Sequence, residues 1–75
     1  MKELVIGGIY KHYKGNEYKV IGVAKHSETL QELVVYQALY GEMGLWVRPK
    51  TMFLETIQKD GKEIERFAFV RKEEQ

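Results

Sequence analysis

One stretch limits what this chain can become more than any other. Tyr40 to Phe53, reading Tyr-Gly-Glu-Met-Gly-Leu-Trp-Val-Arg-Pro-Lys-Thr-Met-Phe, contains a tight turn, the only Trp and the only Pro. Gly41-Glu42-Met43-Gly44 has glycine at both ends, as a hairpin loop wants, and Leu45 to Arg48 returns as a strand with Tyr40 expected opposite Leu45. Pro49 has no N–H to give a ladder. The strand is therefore expected to stop there, with Pro49 to Met52 forming a single 3₁₀ turn.

The same punctuation extends in both directions. Gly8 to Tyr13 is rich in strand formers, and Lys14-Gly15-Asn16 supplies turn residues that tolerate positive φ. Glu17 to Lys25 reads as a second strand, with Gly22 and Ala24 small enough for a bend or bulge. His26-Ser27-Glu28-Thr29 interrupts it as a loop, in which Ser27 or Thr29 could cap a brief helical turn through Glu32. Leu30 to Leu39 is compatible with helical spacing, but Val34-Val35 and the Gly41 stop favour a strand from Leu33 to Tyr40. Phe53 to Lys59 resumes β character, Asp60-Gly61 signals a hairpin, and Lys62 to Val70 is the returning strand. The expected fold is all-β, a small SH3-like barrel of about five or six short antiparallel strands with a 3₁₀ turn near Pro49. Gly44 to Glu55 is similar to the stretch of SH3-like barrels in which such a turn precedes the closing strand.

Seventy-five residues make a single domain with a modest core, and the ends, 1–6 and 71–75, are expected to be loose. Without cysteine the chain has no disulfide, no thiolate zinc site and no thiol nucleophile, which suits a reducing cytoplasm. Twelve Lys and Arg against 11 Asp and Glu give a formal net charge of +1, far from the basic excess of a phosphate-tracking protein. No apolar run approaches the roughly 20 residues that span a bilayer, and no cleavage site follows Leu4 to Tyr10, so neither a membrane segment nor a signal peptide is expected.

Several segments together resemble a small bacterial family of unknown function. They are Tyr10 to Asn16, Gly22 to Thr29, Val34 to Tyr36, Leu39 to Gly41, Gly44 to Pro49 and Met52-Phe53. The resemblance covers Gly8 to about Phe69. It implies that these positions belong together, and it carries no activity with it.

Two groups of residues could carry chemistry. Side chains repeat every two residues along a strand, so Tyr10 shares a face with His12, Tyr36 lies on the face of Tyr40, and Trp46 on that of Arg48. If those faces coincide on the exterior they form an aromatic and basic groove for a peptide, a partner protein or a small anionic ligand. In so small a barrel several of the same rings are needed for the core. The second group is the loop of His26, Ser27, Glu28 and Thr29, where a hydrolase or lyase would need nucleophile and base in hydrogen-bond reach. Consecutive loop residues point apart, so capping of the loop backbone and anchoring of a polar ligand rank ahead of catalysis.

Two histidines far apart in sequence match no metal motif, and no cofactor loop is present. The basic residues Lys59, Lys62, Arg66, Arg71 and Lys72 are interleaved with glutamates, the usual composition of a solvated edge. Single-stranded nucleic acid stacking on the rings beside Arg48 is retained as an alternative. A homodimer formed through a strand edge or aromatic patch is also open. The reading as a whole is a binding or interaction module, leaning away from an enzyme.

Overall fold

The computed structural model describes residues 3–73. Seven strands and one helical turn follow in order: β1 (Gly8–His12), β2 (Glu17–Lys25), β3 (Glu32–Ala38), β4 (Leu45–Pro49), α1 (Lys50–Phe53), β5 (Thr56–Lys59), β6 (Lys62–Glu65) and β7 (Phe67–Lys72). Five of them form one antiparallel sheet in the order β4-β3-β2-β1-β7, and β5 pairs only with β6. The all-β class and a helical turn directly after Pro49 are as the sequence led one to expect, but the expected barrel does not close. No ladder joins β4 to β7, so the sheet is open and its two ends meet only through side chains.

Two bulges bend the sheet. One lies in β2 between Val20 and Gly22, at the small residues flagged for it, and the other where β1 meets β7 at Ile9 and Tyr10. A bulge adds a residue on one strand and sharpens its coil, which lets five short strands curve over one core. That core is Tyr10, Val20, Val34, Tyr36, Phe53 and Phe67, with Leu4, Tyr18 and Leu54 packed around it. Phe53 is fully buried and stacks on Phe67 with ring centroids 4.1 Å apart and planes 8° apart.

Three details differ from the sequence expectation. The turn after Pro49 is α rather than 3₁₀: the Leu54 N–H donates to the Lys50 carbonyl, four residues back, at 3.1 Å. Phe53 therefore ends a helical turn instead of beginning a strand, and β5 starts only at Thr56. Leu45 faces Gln37 and not Tyr40, because the connection runs from Leu39 to Gly44. The expected strand Lys62 to Val70 is broken at Arg66. Its N–H donates to the Glu55 carbonyl, its carbonyl accepts from the Tyr13 N–H, and its guanidinium donates twice to Glu55 Oε1, at 2.8 and 3.1 Å. This corner ends β6 and sends β7 across to β1.

The Asp60-Gly61 turn takes φ of +52° and +76°, the two left-handed residues of a type I′ hairpin. Gly8 is required for a different reason: a Cβ there would sit 2.9 Å from the Val5 carbonyl oxygen and 3.0 Å from the Phe69 ring. Residues 1–2 and 74–75, part of the ends expected to be loose, lie outside the described residues. Among the described residues no helix is long and apolar enough to cross a membrane.

Candidate functional site

Pairing register settles which faces coincide. Tyr10 is opposite Tyr18, Val20 opposite Tyr36, Tyr36 opposite Trp46, Val34 opposite Arg48, and His12 opposite Phe67. Directly paired residues share a face of the sheet, so these side chains all lie on the face that α1 covers. The groove and the core anticipated from the sequence are one surface. It is closed where Phe53 plugs it and open towards β4.

Tyr10 and Tyr36 lie on the closed part, 3% and 5% exposed. The Tyr10 hydroxyl accepts from the Val5 N–H at 3.0 Å, which fixes the ring from the amino-terminal side. Phe67 is the hub. Tyr18, Tyr36 and His12 meet it edge-on with centroids 5.7, 5.5 and 4.8 Å away, and the Arg48 guanidinium carbon stands 5.6 Å from its centre. Arg48 also reaches the Tyr36 hydroxyl, at a long 3.5 Å. No carboxylate pairs with Arg48 among the described residues, whose ion pairs are Lys19–Glu73, Lys50–Glu32 and Arg66–Glu55.

At the open end Trp46 is 57% exposed and Tyr40 43% exposed. The indole makes no ring contact and no hydrogen bond among the described residues, and its Nε1 leans back to within 4.0 Å of the space a side chain on Gly44 would take. Tyr40 is tied down more firmly. Its hydroxyl shares a 2.8 Å hydrogen bond with that of Tyr18, and the two rings meet edge-on. Burial, this bond and the neighbouring phenols push the Tyr18 hydroxyl up to about 12, against a smaller opposing effect of Asn16.

Positive charges gather around His12. Burial, then the charges of Arg48, Arg66 and Lys14, hold His12 below the usual imidazole range. Its Nδ1 accepts from the Lys14 N–H at 3.2 Å, which leaves the proton of the neutral ring on Nε2. Beside it Lys14 and Lys59 approach the Tyr13 ring at 5.8 and 5.5 Å.

The His26 loop is elsewhere. It caps the end of the β2–β3 hairpin, beyond the Lys25–Glu32 pair, about 15–20 Å along the strands from Tyr36 at about 3.3 Å per residue. His26 Nδ1 accepts from the N–H groups of Glu28 and Thr29 at 3.1 and 3.4 Å, and Thr29 Oγ1 accepts from the Gln31 N–H at 3.2 Å. Leu30 takes φ of +62° to close the turn. His26, Ser27 and Glu28 are all exposed, and the imidazole is used as a backbone cap, with no carboxylate or hydroxyl bonded to it.

A second concavity was not legible in the sequence. An open cleft of about 460 Å³ lies between the sheet and the β5–β6 hairpin, lined by Lys11, His12, Tyr13, Glu63, Ile64, Glu65 and Ala68. Its walls are about fifty residues apart in the chain, and the β1–β7 ladder and the Arg66 corner bring them together. His12 alone belongs to both concavities. Among the described residues no three His, Cys, Asp or Glu side chains converge as metal ligands.

An SH3-like order of short strands, an aromatic inner face and one open end define a small all-β domain. The chain belongs to the DUF1653 family, described as proteins of unknown function, whose profile matches residues 8–69. It is similar to a DUF1653 protein from Bordetella bronchiseptica seen in a crystal structure, with 34% identity, 92% of this chain and 91% of that one covered, and a TM-score of 0.80. No curated protein matches the chain.

Proposed function

We propose that this domain is a non-enzymatic interaction module whose contact surface is the open end of the aromatic face, made by Trp46, Arg48 and Tyr40 over the floor of Tyr36, Tyr18 and Phe67. One observation carries the reading: an exposed indole with no partner stands beside a half-buried guanidinium that has a ring beneath it and no carboxylate among the described residues. Exposed Trp with Arg is the pairing most enriched at the energetic centre of protein contacts. Burying both against a partner gains apolar area and gives the guanidinium a carboxylate, a carbonyl or a second ring to meet. The Tyr18–Tyr40 bond and the Phe53–Phe67 stack hold this surface in place, so little ordering cost accompanies contact.

The enzyme alternative has less support. It would use the His26 loop, where the imidazole is exposed and already accepts two backbone N–H groups.

A peptide array probed with the wild-type domain and with the Trp46→Ala/Arg48→Ala double variant tests the proposal. Selective capture by the wild type, weakened at least about tenfold in the variant, is the expected result, since about 1.4 kcal/mol corresponds to tenfold in affinity. Equal capture by a folded double variant would overturn it. Salt-sensitive quenching of Trp46 by a dT12 oligonucleotide, with no peptide captured, would replace it with the single-strand nucleic-acid reading.

A further inference from the structure

We propose that the partner met at this surface is a second copy of the chain, joined edge to edge along β4 about a two-fold axis through Val47. The inference rests on reading Trp46 and Arg48 as contact residues.

β4 is the end strand of the five-stranded sheet, and among the described residues no strand pairs with its outer edge. Which peptide groups face that edge follows from one bond. The Ala38 N–H donates to the Gly44 carbonyl at 2.9 Å. Bonded pairs recur at every second position of an antiparallel ladder. Trp46 therefore exchanges bonds with Tyr36, and Arg48 with Val34, while Leu45 and Val47 present their peptide groups outward and the Pro49 carbonyl is taken by the first turn of α1. Pro49, with no N–H, stands where no bond to β3 is lost.

This edge is complementary to itself. In an antiparallel pairing centred on Val47, the two Val47 residues exchange two hydrogen bonds across the axis. Pro49 bounds the pairing at these two bonds, because its carbonyl caps α1 and it has no N–H to offer Leu45. Trp46 falls opposite the other copy's Arg48 in a non-bonded pair, the closer kind, with Cα atoms about 4.5 Å apart. An indole over a guanidinium is a favourable cation–π contact, and two-fold symmetry makes it twice.

On the opposite face of the sheet the same pairing gathers Leu45 and Val47 from both copies, 65% and 59% exposed in the single chain, next to Val35. Edges that must stay single usually carry a lysine or an inward charge. The only charge in β4, Arg48, is one of the pairing groups. A shift of register by one residue would set Trp46 against the other copy's Val47 and point bonded groups away from each other. A shift by two would align them again but stack Trp46 on Trp46 and take Arg48 away from the indole, so it is the Trp46–Arg48 contact that selects the alignment centred on Val47.

The test is sedimentation equilibrium of the full chain, with Trp46 emission followed on dilution. The wild type is expected at twice 8.8 kDa, with emission shifting to the red as the dimer dissociates. Val47→Lys sets two ammonium groups together at the axis and leaves the Trp46–Arg48 face intact. It is expected to weaken association by about tenfold or more. Trp46→Glu faces Arg48 of the other copy with a carboxylate, and is expected to associate in a manner that salt weakens. A wild type that stays at 8.8 kDa at millimolar concentration, or a Val47→Lys variant that associates as the wild type does, would overturn the proposal. Peptide capture that depends on Trp46 and Arg48 would survive either result, so failure here is distinct from failure of the interaction reading.

Discussion

Replacing Phe53 with alanine examines the joint on which both fold and surface depend. Phe53 has no exposed area, stacks on Phe67, and touches Tyr10 and Tyr36 with centroids 5.3 Å away in each case. Truncating a buried Phe to Ala costs about 3–5 kcal/mol from lost transfer energy and the residual cavity. A chain of 75 residues has roughly 4–11 kcal/mol to lose, at about 0.05–0.15 kcal/mol per residue. Phe53→Ala should therefore remove between about a quarter and all of the stability. α1 is a single turn of four residues, far too short to be stable by itself, so Phe53 is its main anchor. Urea unfolding followed by circular dichroism and by Trp46 emission measures both events. Coincident transitions at much lower urea are expected, with Phe53→Leu falling between variant and wild type. A loss below about 1 kcal/mol, the size of an ordinary surface substitution or little more, would mean that α1 is not part of the cooperative core.

Gly8→Ala should cost about 1–3 kcal/mol in the same urea experiment, since its methyl group must displace the Val5 carbonyl oxygen and the Phe69 ring. An unchanged midpoint would show that this approach relaxes freely. His12 makes stability depend on pH. Its folded pKa lies below the ordinary 6.5, so the folded state binds fewer protons there than the unfolded one. That contribution is complete above pH 6.5 and is lost as pH falls through the folded value. Denaturation midpoints should drop from pH 7.5 to 5.5, and the His12 ring signal in Arg48→Ala should titrate closer to 6.5 by NMR. An unmoved titration would remove Arg48 from the charges acting on His12.

Much of the fold could be read from local chemistry. β2 runs from Glu17 to Lys25 as its pattern indicated, and Asp60-Gly61 turns as its residues require. Two misreadings, the Arg66 corner and the α turn at Lys50, share a cause. Each depends on a partner distant in sequence, Glu55 and Tyr13 for Arg66, and Phe67 beneath Phe53 for the helix. Continuous strand propensity from Lys62 to Val70 carries no trace of a break that a salt bridge imposes. The β5–β6 cleft was invisible for the same reason.

Strand alternation fixed that Tyr10 goes with His12 and Trp46 with Arg48, because a period of two is a property of the backbone alone. Tyr40, in the connection after β3, instead meets the face of Tyr36 through its bond to Tyr18. Pro49 likewise set where β4 ends. Whether those three faces were one face, and whether it pointed to the core or to water, depended on register and curvature, which neighbouring strands decide. Curvature made the answer graded: Tyr36 is sealed beneath Phe53 while Trp46, directly opposite it on the end strand, stays open. The residues of the surface were present in the sequence. Their division into floor and rim belongs to the tertiary structure, since burial measures what the rest of the chain leaves uncovered.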